Sequence, residues 1–313
     1  MKVKKTILVS TYILFGLAAL VALTYIFLGT RTSQQEMSVE RTEGMLFDAP
    51  LDGEAGFVTV APGLRFRIDT GSDMSYITPD DLALLESMGY KVEKKFYPAI
   101  GRNTLGKYDY AITRYRVDFP AYCWSGDSIP QPIEDTKNVF HNVDFAVSPA
   151  DFSVLGIDFL ENFMVEHRVN SNSIALYSDL SPMDYEQCQV IERRKSPMFW
   201  PLMGHRYYVN MAVSHNSDSY FIDSGMRGAF IKLPMSDIDN SITTYVDTAM
   251  TSFLGEFPAK LDVNTMIQIG TRQGQTSVYY FDNEEEPYAT NPFNMQGYNI
   301  VIDYPNRRLL FRE

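Results

Sequence analysis

Apolar and polar residues alternate with a period of two in several short runs of this chain. Leu64, Phe66 and Ile68 interleave with Arg65, Arg67 and Asp69, and this run follows an apolar stretch at 57–60 across a Pro62-Gly63 pair. The pattern predicts a hairpin whose returning arm ends at Asp69. A second run at 207–213 leads through a polar His215-Asn216-Ser217-Asp218 turn to Tyr220, Phe221 and Ile222, and delivers Asp223. TGSDMSYITP follows the first aspartate and SGMRGAFIKLP the second. Both copies therefore run acid, small hydroxyl, glycine, short apolar strand, proline. In the first copy Thr78 is placed to N-cap a helix starting at Pro79, with Asp80 and Asp81 at its positive end. Residues 165–177 and 301–311 each read as strand, polar turn, strand, a way for each copy to close its own sheet. The chain reads as a duplicated β-rich unit.

Ahead of the repeat, residues 6–29 carry no charge. As a helix they reach about 36 Å, enough to span a hydrocarbon core of about 30 Å. Lys2, Lys4 and Lys5 precede the run, whereas Arg31 and Arg41 beyond it are mixed with Glu36, Glu40 and Glu43. The bias predicts a single-pass membrane protein with a cytoplasmic N-terminus and a periplasmic or extracellular folded part. A cleaved signal peptide is the alternative, but the run exceeds the usual 7–15 residues and no small-x-small site closes it. The expected organisation is a cytoplasmic stub and transmembrane helix at 1–29, a tether at 30–45, a first lobe at 46–180, a linker at 181–200 and a second lobe at 201–313. The charge run Glu192-Arg193-Arg194-Lys195 falls in the linker and reads as solvated, as does the acidic stretch 282–287.

Composition narrows the chemistry. Twenty Tyr and twenty Phe in 313 residues favour half-buried strands, so the fold class is mainly β. A net charge of −12 with no long basic cluster excludes nucleic acid as the partner. Cys123 and Cys188 lack zinc-ligand and CxxC spacing, so neither a metal nor another cofactor is expected. Two buried free thiols and one disulfide both remain open. The four histidines are scattered, and neither GxSxG nor HExxH occurs.

What remains is the aspartate pair, 154 residues apart. A lone Asp-Ser/Thr-Gly arises by chance in about one chain in ten of this length. Two copies, each ending a strand of a duplicated hairpin, do not. Amide hydrolysis without metal or covalent nucleophile needs a base for water and an acid for the carbonyl oxygen or leaving amine. Two carboxylates about 3 Å apart share one proton and supply both.

FRIDTGSDMSYIT and YFIDSGMRGAFIK resemble the two active-site loops of pepsin-like and retropepsin-like aspartic peptidases. The resemblance implies a bilobal fold with closed, β-barrel-like lobes, in which Asp69 and Asp223 bind the catalytic water. It also implies that Thr70 and Ser224 lock the lobes together, that Gly71 and Gly225 let the loops approach, and that the Ser72 hydroxyl bonds the outer oxygen of Asp69. SVLGIDFL (153–160) resembles the apolar-apolar-Gly segment threaded behind the first loop, with Leu155 and Gly156 in the key places. YPAIGRNTLGKYDY (97–110) resembles the hairpin flap, making Tyr97, Ile100 and Gly101 candidates for contact with substrate. Two departures lie in the second copy. Met226 stands where the first copy has Ser72, and the segment near Thr290-Asn291-Pro292-Phe293 has no apolar-Gly pair. The implied activity is endopeptidase cleavage of a peptide or protein by one chain carrying both half-sites, so a monomer suffices. The competing reading is the same scaffold as a membrane-anchored module that binds an extended peptide without cutting it.

Overall fold

A computed structural model describes residues 12–23, 37–41, 43–52, 56–95, 99–102, 108–127, 130–148, 150–178, 185–195, 205–214, 216–226, 231–239, 245–252, 255–282, 288–291 and 298–312. The described chain is mainly β, in two large sheets and one two-stranded hairpin. A helix at 12–23 (α1) and strands β1 (Ser38–Val39) and β2 (Met45–Asp52) come first. The first half continues with β3 (Phe57–Ala61), β4 (Leu64–Ile68), β5 (Tyr76–Ile77), α2 (Pro79–Ser87), β6 (Val92–Lys94), β7 (Ala99–Arg102), β8 (Tyr108–Ile112), β9 (Arg114–Ala121), β10 (Asn138–Val147), β11 (Ser153–Leu155), α3 (Ile157–Leu160), β12 (Met164–Arg168) and β13 (Ser173–Tyr177). After β14 (Glu186–Val190) and β15 (Glu192–Lys195), the second half holds β16 (His205–Val213), β17 (Asn216–Ile222), β18 (Ile231–Leu233), β19 (Val246–Ser252), β20 (Gly255–Ile269), β21 (Arg272–Tyr280), β22 (Ala289–Thr290), β23 (Asn299–Asp303) and β24 (Arg308–Arg312).

The duplication read from the two hairpins extends through the topology. The first half has the strand order β3-β4-β11-β5-β10-β9-β6, and the second repeats it as β16-β17-β22-β18-β21-β20-β19. In each, a short late strand threads between two early ones: β11 lies parallel to β4 and antiparallel to β5, and β22 lies parallel to β17 and antiparallel to β18. The second half closes on itself where β16 pairs with β20. In the first half, Tyr122 N–H donates to the Val60 carbonyl at 2.9 Å and Trp124 N–H to the Asp48 carbonyl at 2.8 Å, bringing the end of β9 back onto β3 and β2. Its core is aromatic: Phe66 stacks on Phe145 at 5.6 Å, Phe119 on Phe140 at 5.2 Å, and Phe159 meets Phe163 at 5.1 Å. Such pairs each add about 0.5–1.5 kcal/mol beyond the area they bury.

Local expectations hold where the signal is local. The β3–β4 hairpin turns at Pro62-Gly63, with Gly63 at φ +77°, and Thr78 caps α2 by accepting the Asp81 N–H at 3.1 Å. The second hairpin turns more tightly than a four-residue polar loop. Val213 pairs with Asn216 and Ser214 has φ 54°, so Ser217 and Asp218 belong to β17. A two-residue turn with positive φ matches the right-handed twist of its strands and is favoured over a longer loop.

Three longer-range expectations change. The terminal hairpins β12–β13 and β23–β24 do not close separate sheets. β12 pairs antiparallel with β23, from Met164↔Asp303 to His167↔Ile300, and this joins the halves. The joint buries Glu166, which accepts from Arg168 Nε at 2.9 Å, Tyr177 Oη at 2.7 Å and Tyr185 Oη at 2.8 Å, meeting a buried carboxylate's need for donors. The charge run at 192–195 is exposed as expected, but it forms an edge strand, β15, paired to β16, rather than a linker. Charged side chains along an open edge discourage pairing with other chains. Residues 37–41, within the expected tether, lie on the sheet: β1 pairs with β10, and Arg41 N–H donates to Asn138 Oδ1 at 2.9 Å. Cys123 is a buried free thiol whose pKa burial pushes up. Half of the expected membrane span at 6–29 lies outside the described residues; 12–23 form the helix α1, and no described helix is long and apolar enough to cross a membrane.

Candidate active site

Asp69 and Asp223 sit in equivalent places. Each follows the last residue of a hairpin arm, and each donates its backbone N–H to the threaded strand beside it: Asp69 to Leu155 O at 3.1 Å, Asp223 to Thr290 O at 2.8 Å. The chain then turns sharply. Gly71 N–H and Ser72 N–H donate to Asp69 Oδ1 at 3.0 and 3.2 Å, and Gly225 N–H donates to Asp223 Oδ1 at 2.8 Å.

The two loops meet face to face. A Cβ built on Gly71 would lie 2.3 Å from Asp223 Oδ1, and one built on Gly225 would lie 2.4 Å from Asp69 Oδ1. Each carboxylate is therefore seated on the other loop's glycine, a place closed to any side chain. Behind them the hydroxyls cross over. Thr70 Oγ1 donates to Ile222 O at 3.1 Å and accepts the Ser224 N–H at 2.9 Å. Ser224 Oγ donates to Ile68 O at 3.2 Å and accepts the Thr70 N–H at 3.0 Å. These four bonds join residues 152–156 positions apart and leave Thr70 only 2% exposed. An ion pair between Arg206 of β16 and Asp73 of the first loop, at 3.4 Å, also crosses between the halves.

Ser72 acts differently from the expectation. Its backbone N–H reaches Asp69, whereas its hydroxyl donates to Met74 O at 2.8 Å. Because the Ser72 hydroxyl does not bond Asp69, Met226 costs Asp223 no hydroxyl bond that Asp69 has from the equivalent position. Gly156 is required by contact, since a Cβ there would lie 2.4 Å from Met74 O. Next to it Ser75 Oγ accepts the Gly156 N–H at 2.9 Å and donates to Asp158 Oδ1 at 2.7 Å. The Asp158 carboxyl is enclosed although the residue keeps some surface, and burial pushes its pKa up to about 6 against the Ser75 bond. Burial, and then the charges of Asp158, Asp73 and Asp69, push the Tyr76 phenol up to about 12.

Sequence patterns missed two side chains that bond to the second loop from outside it. Arg67, buried at 6% exposure, donates from Nη2 to Gly225 O. Asn291 donates from Nδ2 to both Ser224 O and Met226 O at 3.4 Å. Arg67 carried the same alternation signal as solvent-facing Arg65, and no rule marks an asparagine after an Ala-Thr strand.

The hairpin at 97–110 is in part described. β7 and β8 pair as a sheet of their own, with Gly101 opposite Asp109, and Ile100 lies on β7; Tyr97 lies outside the described residues. The stems of the hairpin meet where Lys95 N–H donates to Arg114 O at 2.9 Å, and both side chains reach Asp144 on β10. Among the described residues no group of three or more His, Cys, Asp or Glu is placed to hold a metal ion. A scan against protein-family models and a search of curated proteins each found no match for this chain.

Proposed function

We propose that this protein is an aspartic endopeptidase, anchored in a membrane through residues 6–29, with its bilobal peptidase part on the periplasmic or extracellular side. The observation that carries the reading is the reciprocal seating of Asp69 and Asp223 on Gly225 and Gly71. That arrangement suits two carboxylates holding one water and one proton between them, because a doubly ionised pair at such range is strongly disfavoured. The ionised aspartate takes a proton from the water as it attacks the scissile carbonyl. The protonated aspartate gives its proton to the carbonyl oxygen, and the exchanged roles return a proton to the leaving amine. The Thr70–Ser224 lock keeps both loops still, so that little reorganisation accompanies the attack. The substrate is an extended peptide between the halves, with the β7–β8 hairpin, carrying Ile100 and Gly101, as its cover. No cofactor takes part in this scheme.

The test is cleavage of an unbiased peptide mixture by the full chain and by Asp69→Asn and Asp223→Asn. Loss of at least about a thousandfold in each variant, with the fold retained, is expected. Turnover retained in either variant would reject the shared pair. A parent that binds extended peptides and cuts none would favour the non-cleaving module instead.

A further inference from the structure

The two catalytic loops are held by different means, and the difference identifies residues that the repeat alone does not. In the first loop the supporting contacts come from the threaded backbone. Gly156 packs directly on the loop, and the next residue, Ile157, donates its N–H to Ser72 O at 2.9 Å. In the second loop, register places Thr290 where Leu155 stands and so Asn291 where Gly156 stands, and the residue that follows in the sequence is Pro292. Proline has no N–H to give. Pro292 therefore cannot give Met226 O, the counterpart of Ser72 O, the N–H that Ile157 gives in the first copy. Asn291 Nδ2 reaches Met226 O instead, and reaches Ser224 O as well.

The carbonyl between those two, Gly225 O, receives Arg67 from the other half. Phe66 and Ile68 turn into the core of the first half, which sends Arg67 to the opposite face of β4. There the guanidinium lies 5.9 Å from the Phe152 ring, which Phe57 holds edge-on at 5.5 Å. Three successive carbonyls, 224 to 226, are each met by a side-chain donor. Carbonyls partly withdrawn from water gain from such partners, and these hold the turn that aims Gly225 N–H at Asp223 Oδ1.

We infer that Arg67 and Asn291 are positioning residues for Asp223, replacing with side chains the support that threaded backbone gives Asp69. The inference rests on the aspartic-peptidase reading for its catalytic consequence, but not for its structural one. A displacement of about 1 Å at a reacting group costs about a hundredfold in rate. Arg67→Met should therefore lower kcat by about a hundredfold with KM within about threefold of the parent. Arg67→Lys, which keeps a donor for Gly225 O, should recover at least tenfold of that loss. Asn291→Gly should fail like Asn291→Ala, because restoring glycine does not restore the N–H that Pro292 lacks.

Amide hydrogen exchange on the full chain supplies the second readout. Arg67→Met and Asn291→Ala should speed exchange at Gly225 while leaving Gly71 and Ser72 at parental rates. Unchanged exchange at Gly225, equal loosening of both loops, or a neutral Asn291→Gly would overturn the inference. Should the parent cleave no peptide, the peptidase reading fails, and the exchange comparison still decides whether these two side chains hold the second loop.

Discussion

Replacing Thr70 with valine keeps the side chain's shape and removes one oxygen. That oxygen donates to Ile222 O at 3.1 Å and accepts the Ser224 N–H at 2.9 Å, in a position 2% exposed. Valine strands both partners, and each buried group left unsatisfied costs about 1–3 kcal/mol, so Thr70→Val should destabilise by about 2–6 kcal/mol. With a urea m-value of about 2–3 kcal/mol/M, the unfolding midpoint should fall by roughly 1–3 M. Ser224→Ala removes the other two cross-half bonds, at 3.2 and 3.0 Å, and should cost a similar amount. The two losses should not add, because either one already loosens the backbone that carries the other pair. Urea unfolding followed by intrinsic fluorescence measures the two single variants and the double variant that combines them. A Thr70→Val midpoint within 0.2 M of the parent, roughly 0.5 kcal/mol, would refute the claim that this hydroxyl locks the halves.

Two further outcomes follow from the same loops. Asp158 has its pKa raised from 3.8 to about 6 by burial, so the folded state holds the proton more tightly than the unfolded chain. Stability from this group is fully present below about pH 4 and falls as pH rises to about 6, by up to about 3 kcal/mol. Asp158→Asn should flatten that fall, and equal unfolding free-energy differences between pH 4 and 7 in parent and variant would contradict it. Gly225→Ala places a methyl 2.4 Å from Asp69 Oδ1. The carboxylates must separate, and peptide cleavage should drop by about a hundredfold or more with the circular dichroism spectrum unchanged; parental activity in this variant would show that the loops do not meet as described.

What the sequence discloses is local. Period-two alternation and Pro62-Gly63 locate the first hairpin, Thr78 locates the start of α2, and the recurrence of Asp-hydroxyl-Gly locates both acidic loops. Pairing between distant strands leaves almost no such trace, because ladder bonds come from backbone groups that nearly every residue carries. The union of β12 with β23 is invisible for that reason, and so is the threading of Ala289–Thr290, whose residues resemble neither a core strand nor the Val154-Leu155-Gly156 segment. Arg65 and Arg67 show the limit of alternation most clearly. Both lie on the face of β4 opposite its apolar residues, yet Arg65 is exposed beside Asp52 while Arg67 is covered and reaches Gly225. Alternation assigns a face, and only tertiary structure says what covers it.

The separation between the inner oxygens of the Asp69 and Asp223 carboxyl groups, measured in a crystal structure of the protein, tests the account most directly. Oxygens about 3 Å apart, bridged by one water, are the predicted result. Carboxyl groups more than about 6 Å apart, each solvated by itself, could not hold a proton in common and would contradict it.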